Sequence, residues 1–167
     1  ALCERELAPR GIFRVFPVRP GAGGVVVTGT SLVLPGESIA RHLWDCAYAA
    51  LMAVTLGPSS EMVLRREAAV SATGGMLADA CASSLVEQAA GVLNEFVDEA
   101  AARRGCAPTW RFSPGYGDLP LNVQGSFLEA LDAGRALGIA LTAANMLVPS
   151  KSITAIVGFR DPDLRGE

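Results

Sequence analysis

The feature that most limits how this chain can fold is a long, alanine-rich helical pattern lying between two β-patterned regions. No proline interrupts the chain from about Met76 to Arg104, and apolar residues recur there at three-and-four spacing. Gly74-Gly75 precedes that pattern. Leu77, Cys81, Leu85, Val92 and Phe96 form the stripe expected to face the core. A second stripe, Met76, Ala80, Ser83, Glu87, Ala90 and Asn94, is small and polar, so another backbone or a ligand could approach it closely. Glu87 sits in its middle. It reads either as a solvated helix carboxylate or as one facing a site and attracting a cationic group.

The regions on either side are patterned for strands. Residues 1–10 are polar and mixed, and are expected to be loosely ordered unless they dock. Gly11 to Val18 reads as a strand, Pro20-Gly21-Ala22-Gly23-Gly24 breaks the chain, and Val25 to Leu34 reads as a second strand or strand pair with a turn or bulge at Gly29. The Gly-rich break is not a phosphate loop, because it lacks the Gly-Lys-Ser/Thr ending and leads into a strand. Pro35-Gly36-Glu37-Ser38 then opens a helix expected to carry Ile39, Leu43, Cys46, Ala50 and Val54 on one face and to stop at Gly57-Pro58. On that helix His42 and Asp45 would share a surface or interface. Glu61 to Val70 reads as a short helix with Arg65, Arg66 and Glu67 on a solvated face. Beyond the long helix, Asn122 to Leu131 reads as a short helix, Gly138 to Thr142 as a strand, Ala143 to Pro149 as a connector and Ser152 to Phe159 as a closing strand. The tail from Arg160 is charged and expected to fray. No repeat or linker divides the chain, so it is expected to form one domain over 1–167. The order strands, helices, strands predicts an α+β fold with a twisted, mostly antiparallel sheet and flanking helices.

The densest run of special residues is Trp110-Arg111-Phe112-Ser113-Pro114-Gly115-Tyr116-Gly117-Asp118-Leu119-Pro120-Leu121. Proline presets the second position of a turn, and glycine accepts the positive φ that a type II turn requires at the third. Arg111 and Tyr116 flank that turn. A guanidinium fork beside a rigid turn suits a small anionic ligand. It equally suits an arginine that is solvated or paired with a nearby carboxylate.

Composition excludes several classes. A net charge of -3 with no basic run argues against nucleic acid as a partner. The longest apolar-leaning run, Ala47 to Leu56, is too short to span a bilayer. No charged, then apolar, then small-residue leader is visible at the N-terminus. Cys3, Cys46, Cys81 and Cys106 form no CxxC pair and are read as reduced, which suits the cytoplasm. With one histidine, His42, no zinc site or histidine triad is expected.

Arg111 to Leu121 resembles the signature of the activation (reactivation) domain of vitamin B12-dependent methionine synthase, and is most similar to stand-alone proteins related to that domain. Gly138-Ile139-Ala140-Leu141-Thr142 followed by Pro149-Ser150-Lys151-Ser152-Ile153-Thr154-Ala155-Ile156-Val157-Gly158 agrees with it. Weaker matches are Leu34-Pro35 through His42-Leu43 to Thr55-Leu56-Gly57, and Asp79-Ala80 through Glu87. The resemblance covers about residues 30–159. It implies an α+β fold that binds S-adenosylmethionine in a shallow groove. It also implies that the protein supports reductive methylation of cob(II)alamin held by a methionine synthase or other corrinoid protein, with a flavodoxin-type electron donor.

Residue by residue, the resemblance makes Arg111 the fork for the ligand carboxylate. Ser113 becomes a backbone contact, and Gly115 and Tyr116 the turn that borders the ligand. Glu87 is the candidate acid near the ligand's amino group or sulfonium. No catalytic side chain and no metal site are implied. The sequence departs from the family in three ways. Ser83 stands where the full enzyme has its carboxylate, Ala143-Ala144-Asn145 supplies no aromatic, and the chain is shorter than the enzyme's domain. Those departures support an alternative, a non-catalytic docking module for a corrinoid protein that has lost S-adenosylmethionine binding. A stand-alone methyltransferase is disfavoured, because the Gly-rich loop after a first parallel strand is absent.

Overall fold

A computed structural model of the protein describes residues 7–161 and 163. The readings for residues 1–6, and for all of the tail beyond Asp161 except Asp163, lie outside those residues. At the start of the described chain Leu7 is buried.

A six-stranded antiparallel sheet organises the chain, its strands in the order Val33–Pro35, Gly24–Val27, Arg10–Gly21, Cys46–Thr55, Ser152–Arg160 and Ala107–Pro108. β1 (Arg10–Gly21) is long enough to serve two neighbours. Its first part pairs with β4 (Cys46–Thr55) and its last residues pair with β2 (Gly24–Val27) across the Gly-rich break. β3 (Val33–Pro35) returns from the turn at Gly29, so Val25 to Leu34 is a strand pair. β8 (Ser152–Arg160) closes the centre against β4, and the two-residue β5 (Ala107–Pro108) pairs on its far side. Ala140–Leu141 (β6) and Leu147–Val148 (β7) form a separate two-stranded hairpin. The strand expected over Gly138 to Thr142 is therefore shorter and does not join the main sheet.

The helix expected to run from Ile39 to Val54 is not there. α1 (Glu37–His42) stops after six residues, and the chain turns directly into β4, the centre of the sheet. Along β4, Ala49, Leu51 and Ala53 face one core, with Ile39, Leu119, Phe127 and Leu131. Ala50, Met52 and Val54 face the other, with Val63, Ala82, Val86 and Val97. A strand covered on both faces carries no polar residues to mark its period, so its apolar spacing also fits a helix. His42 and Asp45 consequently share no helix face. Both are buried, and Asp45 pairs with Arg160 of β8 at 3.6 Å.

α2 (Ser59–Val70) and α3 (Ala72–Ala102) cover the second face of the sheet. α3 starts earlier than Gly74-Gly75, because Ser71 caps it: the Gly74 N–H donates to Ser71 Oγ at 2.9 Å. Its buried stripe is also not the large-residue one. Ala78, Ala82, Val86, Ala90, Val97, Ala100 and Ala101 are buried, whereas Leu77, Val92 and Phe96 are exposed. Alanine side chains are small, so the buried stripe lets the helix backbone pack against the sheet. The first face carries α1, α4 (Gln124–Leu131) and α5 (Ala133–Leu137), with a 3-10 turn at Leu121–Val123 leading into α4. Among the described residues no helix is long and apolar enough to cross a membrane.

Candidate functional site

The run from Trp110 to Leu121 crosses the β5 end of the sheet. Phe112 forms an antiparallel bridge with Ile156 of β8, its N–H donating to Ile156 O at 2.8 Å and its carbonyl accepting from Ile156 N at 2.7 Å. Phe112 packs against the α1 side of the sheet. Alternation along extended backbone then turns Arg111 to the α3 side. There its Nη2 lies 3.1 Å from Glu87 Oε2.

The turn follows at once. Tyr116 N–H donates to Ser113 O at 3.0 Å, and Gly115 has φ 96, the type II geometry expected at Pro114-Gly115. Gly115 N–H donates to Leu119 O at 2.8 Å, and Leu119 is buried as the anchor of the loop. The Tyr116 ring is exposed and meets Phe112 edge-on, with centroids 6.2 Å apart.

Two further contacts hold this loop. Asp118 accepts from the Glu37 and Ser38 N–H groups at 2.6 and 3.0 Å, so it caps α1 from across the chain. Those backbone hydrogen bonds hold its carboxyl below the usual range. Gly36 at the cap has φ 122, and a Cβ there would lie 2.6 Å from Asp118 Oδ1, so glycine is required for the approach. Behind the run, buried His42 places Nε2 2.9 Å from Thr109 Oγ1, and its ring meets Trp110 and Phe112 at 4.8 and 5.0 Å. Thr109 Oγ1 also accepts from Gly158 N–H at 2.8 Å and donates to Trp110 O at 3.1 Å. With that hydroxyl proton used, His42 donates from Nε2. Burial lowers its pKa from the usual value, which keeps the ring neutral.

The sequence-derived site residues thus fall into one neighbourhood. Arg111, Ser113, Gly115 and Tyr116 lie on a single rigid loop, and Glu87 reaches it from α3. The tertiary structure adds Lys151, whose Nζ lies 2.8 Å from Asp79 Oδ1 and 2.9 Å from Ser83 Oγ. Lys151 lies in the second block of the resemblance, Pro149 to Gly158, which gives it no role. A further signal is that it is the only lysine in the sequence.

Below the Phe112–Ile156 bridge, the first residues of β8 pair with β4 on one side and with no described strand on the other. A cavity of about 460 Å³ opens beside this free edge, lined by Leu121, Gln124, Thr142, Met146, Ser150 and Ser152, among others. The β6–β7 hairpin forms its rim. Thr142 Oγ1 accepts from Met146 N–H at 3.1 Å, and Asn145 takes φ 59. Gln124 is buried, with its Oε1 accepting from Thr154 at 3.0 Å. Arg111, Ser113, Gly115, Tyr116 and Glu87 do not line this cavity. It lies further along β8, toward that strand's start.

This sheet order, with helices on both faces and the Trp110–Leu121 loop bridged to the closing strand, defines an α+β fold. No protein-family model matches the sequence, and no curated protein matches it. Among solved structures, the chain matches the MetH reactivation domain bound to AdoHcy with a TM-score of 0.72 and 21% identity over 99% of its own length. The match covers 62% of that domain's chain, so this protein spans less than two thirds of it.

Proposed function

We propose that the protein binds S-adenosylmethionine and supports reductive methylation of a cobalamin held by a methionine synthase or another corrinoid protein. The observation that carries this reading is the Arg111–Glu87 pair. A guanidinium beside a carboxylate matches an α-amino acid head, with the ligand carboxylate on Arg111 and its ammonium on Glu87. Arg111 uses only Nη2 on Glu87, so its remaining N–H groups are left to grip a second carboxylate. Ser113 and Gly115 would offer backbone contacts, and the exposed Tyr116 ring would border the ligand. The cavity along β8 has the size for the adenosine end. The match to a reactivation domain solved with AdoHcy supports the same ligand class.

S-adenosylmethionine supplies the methyl group, and an electron donor of the flavodoxin type supplies the electron. This chain supplies position and electrostatics, with no side chain acting as nucleophile or general base. It is therefore read as one part of a methyltransferase system. Exposed Tyr116 on the loop is a residue type that anchors protein interfaces, and it suits a partner docking over the site.

Calorimetry tests the reading. Wild type should bind S-adenosylmethionine, and Arg111→Ala should lose about 10- to 150-fold in affinity, the worth of about 1.5–3 kcal/mol for hydrogen bonds to a charged group. The second reading, a docking module without the ligand, is favoured by Ala143-Ala144-Asn145, which supply no aromatic in the connector where the resemblance expects one. Recovery of a corrinoid protein on immobilised protein, with no heat from S-adenosylmethionine, would select it.

A further inference from the structure

β1 has two neighbouring strands, but not along its whole length. Arg10 to Pro17 pair with β4 in unbroken register, whereas β2 reaches only Val18 to Gly21 on the other side. Pro17 O accepts from Thr28 N–H at 2.9 Å, so the backbone of Pro17 faces away from β4. Backbone direction alternates along a strand, so the N–H and C=O groups of Gly11, Phe13 and Val15 face the same way. No described residue pairs with them, and Gly11 is exposed. An open edge of this kind is a template for another strand.

The α3 side of this edge is apolar. Phe13 and Val15 are half-buried there. A Cβ on Gly11 would lie 2.9 Å from Leu93 Cδ2, so α3 lies directly over the open strand. A groove of about 450 Å³ runs beside them, lined by Pro9, Gly11, Leu85, Val92, Leu93 and Phe96, among others. Val92 and Phe96 are each 54% exposed and belong to the large-residue stripe that the sheet leaves uncovered. Glu87 lies about 140° around the helix from Val92, so this flank of α3 is not the one that meets Arg111.

We propose that this edge pairs with the same edge of a second copy of the chain, antiparallel about a two-fold axis at Phe13. The residues fit that register. Phe13 meets Phe13 of the partner subunit, and Val15 lies opposite Gly11 of the partner subunit, which has no side chain to obstruct it. Arg14 lies opposite Ile12 of the partner subunit, so like charges do not face each other. The outward-facing residues then exchange both N–H···O bonds in each pair. The same axis brings the two exposed α3 flanks together on one face of the joined sheet and covers Val92 and Phe96 of both copies. The edge alone is short, and the apolar flank supplies the burial that a lasting dimer needs. The pairing needs nothing from the ligand reading.

Sedimentation equilibrium of the whole chain, with hydrogen exchange of the β1 amides, tests it. Wild type should sediment with twice the mass of one chain, and the Gly11, Phe13 and Val15 amides should be protected. Dilution to single chains should release those three amides. Val15→Pro removes one outward N–H and no bond to β4, a place where proline is tolerated in an edge strand. Phe96→Glu puts a charge on the exposed flank of α3. Both variants should sediment as single chains, and circular dichroism checks that each is folded. A monomeric wild type overturns the proposal. So does a dimer whose edge amides exchange freely, or one that survives both substitutions.

Discussion

Gly115→Ala perturbs the turn that presents the candidate site, and its cost follows from the backbone. Gly115 has φ 96, and an added Cβ would meet Leu121 Cδ2 at 3.1 Å. An L-residue forced to positive φ costs about 1–2 kcal/mol. Leu121 offers the movable end of a side chain, so the contact adds less than the backbone term. The sum is about 1–3 kcal/mol. In a chain of 167 residues each kcal/mol lowers the melting temperature by about 2–4 °C, so the midpoint should fall by about 2–12 °C. Gly91→Ala is the control. Gly91 lies inside α3, a Cβ there would meet nothing within 4 Å, and helix propensity alone should stabilise by about 0.5–1 kcal/mol. Differential scanning calorimetry measures both variants. If Gly115→Ala melts with wild type while Gly91→Ala gains stability, the turn is not held at positive φ, and the rigid-loop argument for Arg111 and Tyr116 fails with it.

Leu51→Ala and Met52→Ala point to opposite faces of β4 and are both fully buried, so each should cost about 2–5 kcal/mol by urea unfolding. A helix at this position would leave one of the two nearly neutral. Because His42 is held neutral by burial, the unfolded chain takes up a proton that the folded one resists. Stability should be full above the ordinary histidine value of 6.5 and fall as pH drops below it, and His42→Gln should flatten that part of the profile in pH-dependent melts. Burial, with Asp45 beside it, pushes the Cys46 thiol up to about 12, whereas Cys81 is exposed. Alkylation of native protein near pH 8, mapped by peptide mass, should label Cys81 well before Cys46. Equal labelling of the two would contradict the buried β4 start.

The sequence by itself determined the elements whose chemistry is local. β1 and β8 alternate or cluster β-branched residues, and α2 and α3 show helical spacing between clear stops. Pro114-Gly115 encodes its own turn type, because ring closure and a missing Cβ act within four residues. The α+β order followed from those pieces, and the match to the activation-domain signature agreed with it. Only the tertiary structure decided what depends on surroundings. Whether Cys46–Thr55 is helix or strand turned on both its faces being covered, which no local period records. Which stripe of α3 is buried turned on how closely alanine lets a helix approach the sheet. Asp118 capping α1, Lys151 reaching Asp79 and Ser83, and Glu87 meeting Arg111 are contacts across roughly 24 to 81 residues of chain. Charge and hydrogen-bonding capacity are properties of single residues, and so they are visible in the sequence. Their partners are chosen by packing, and so they are not.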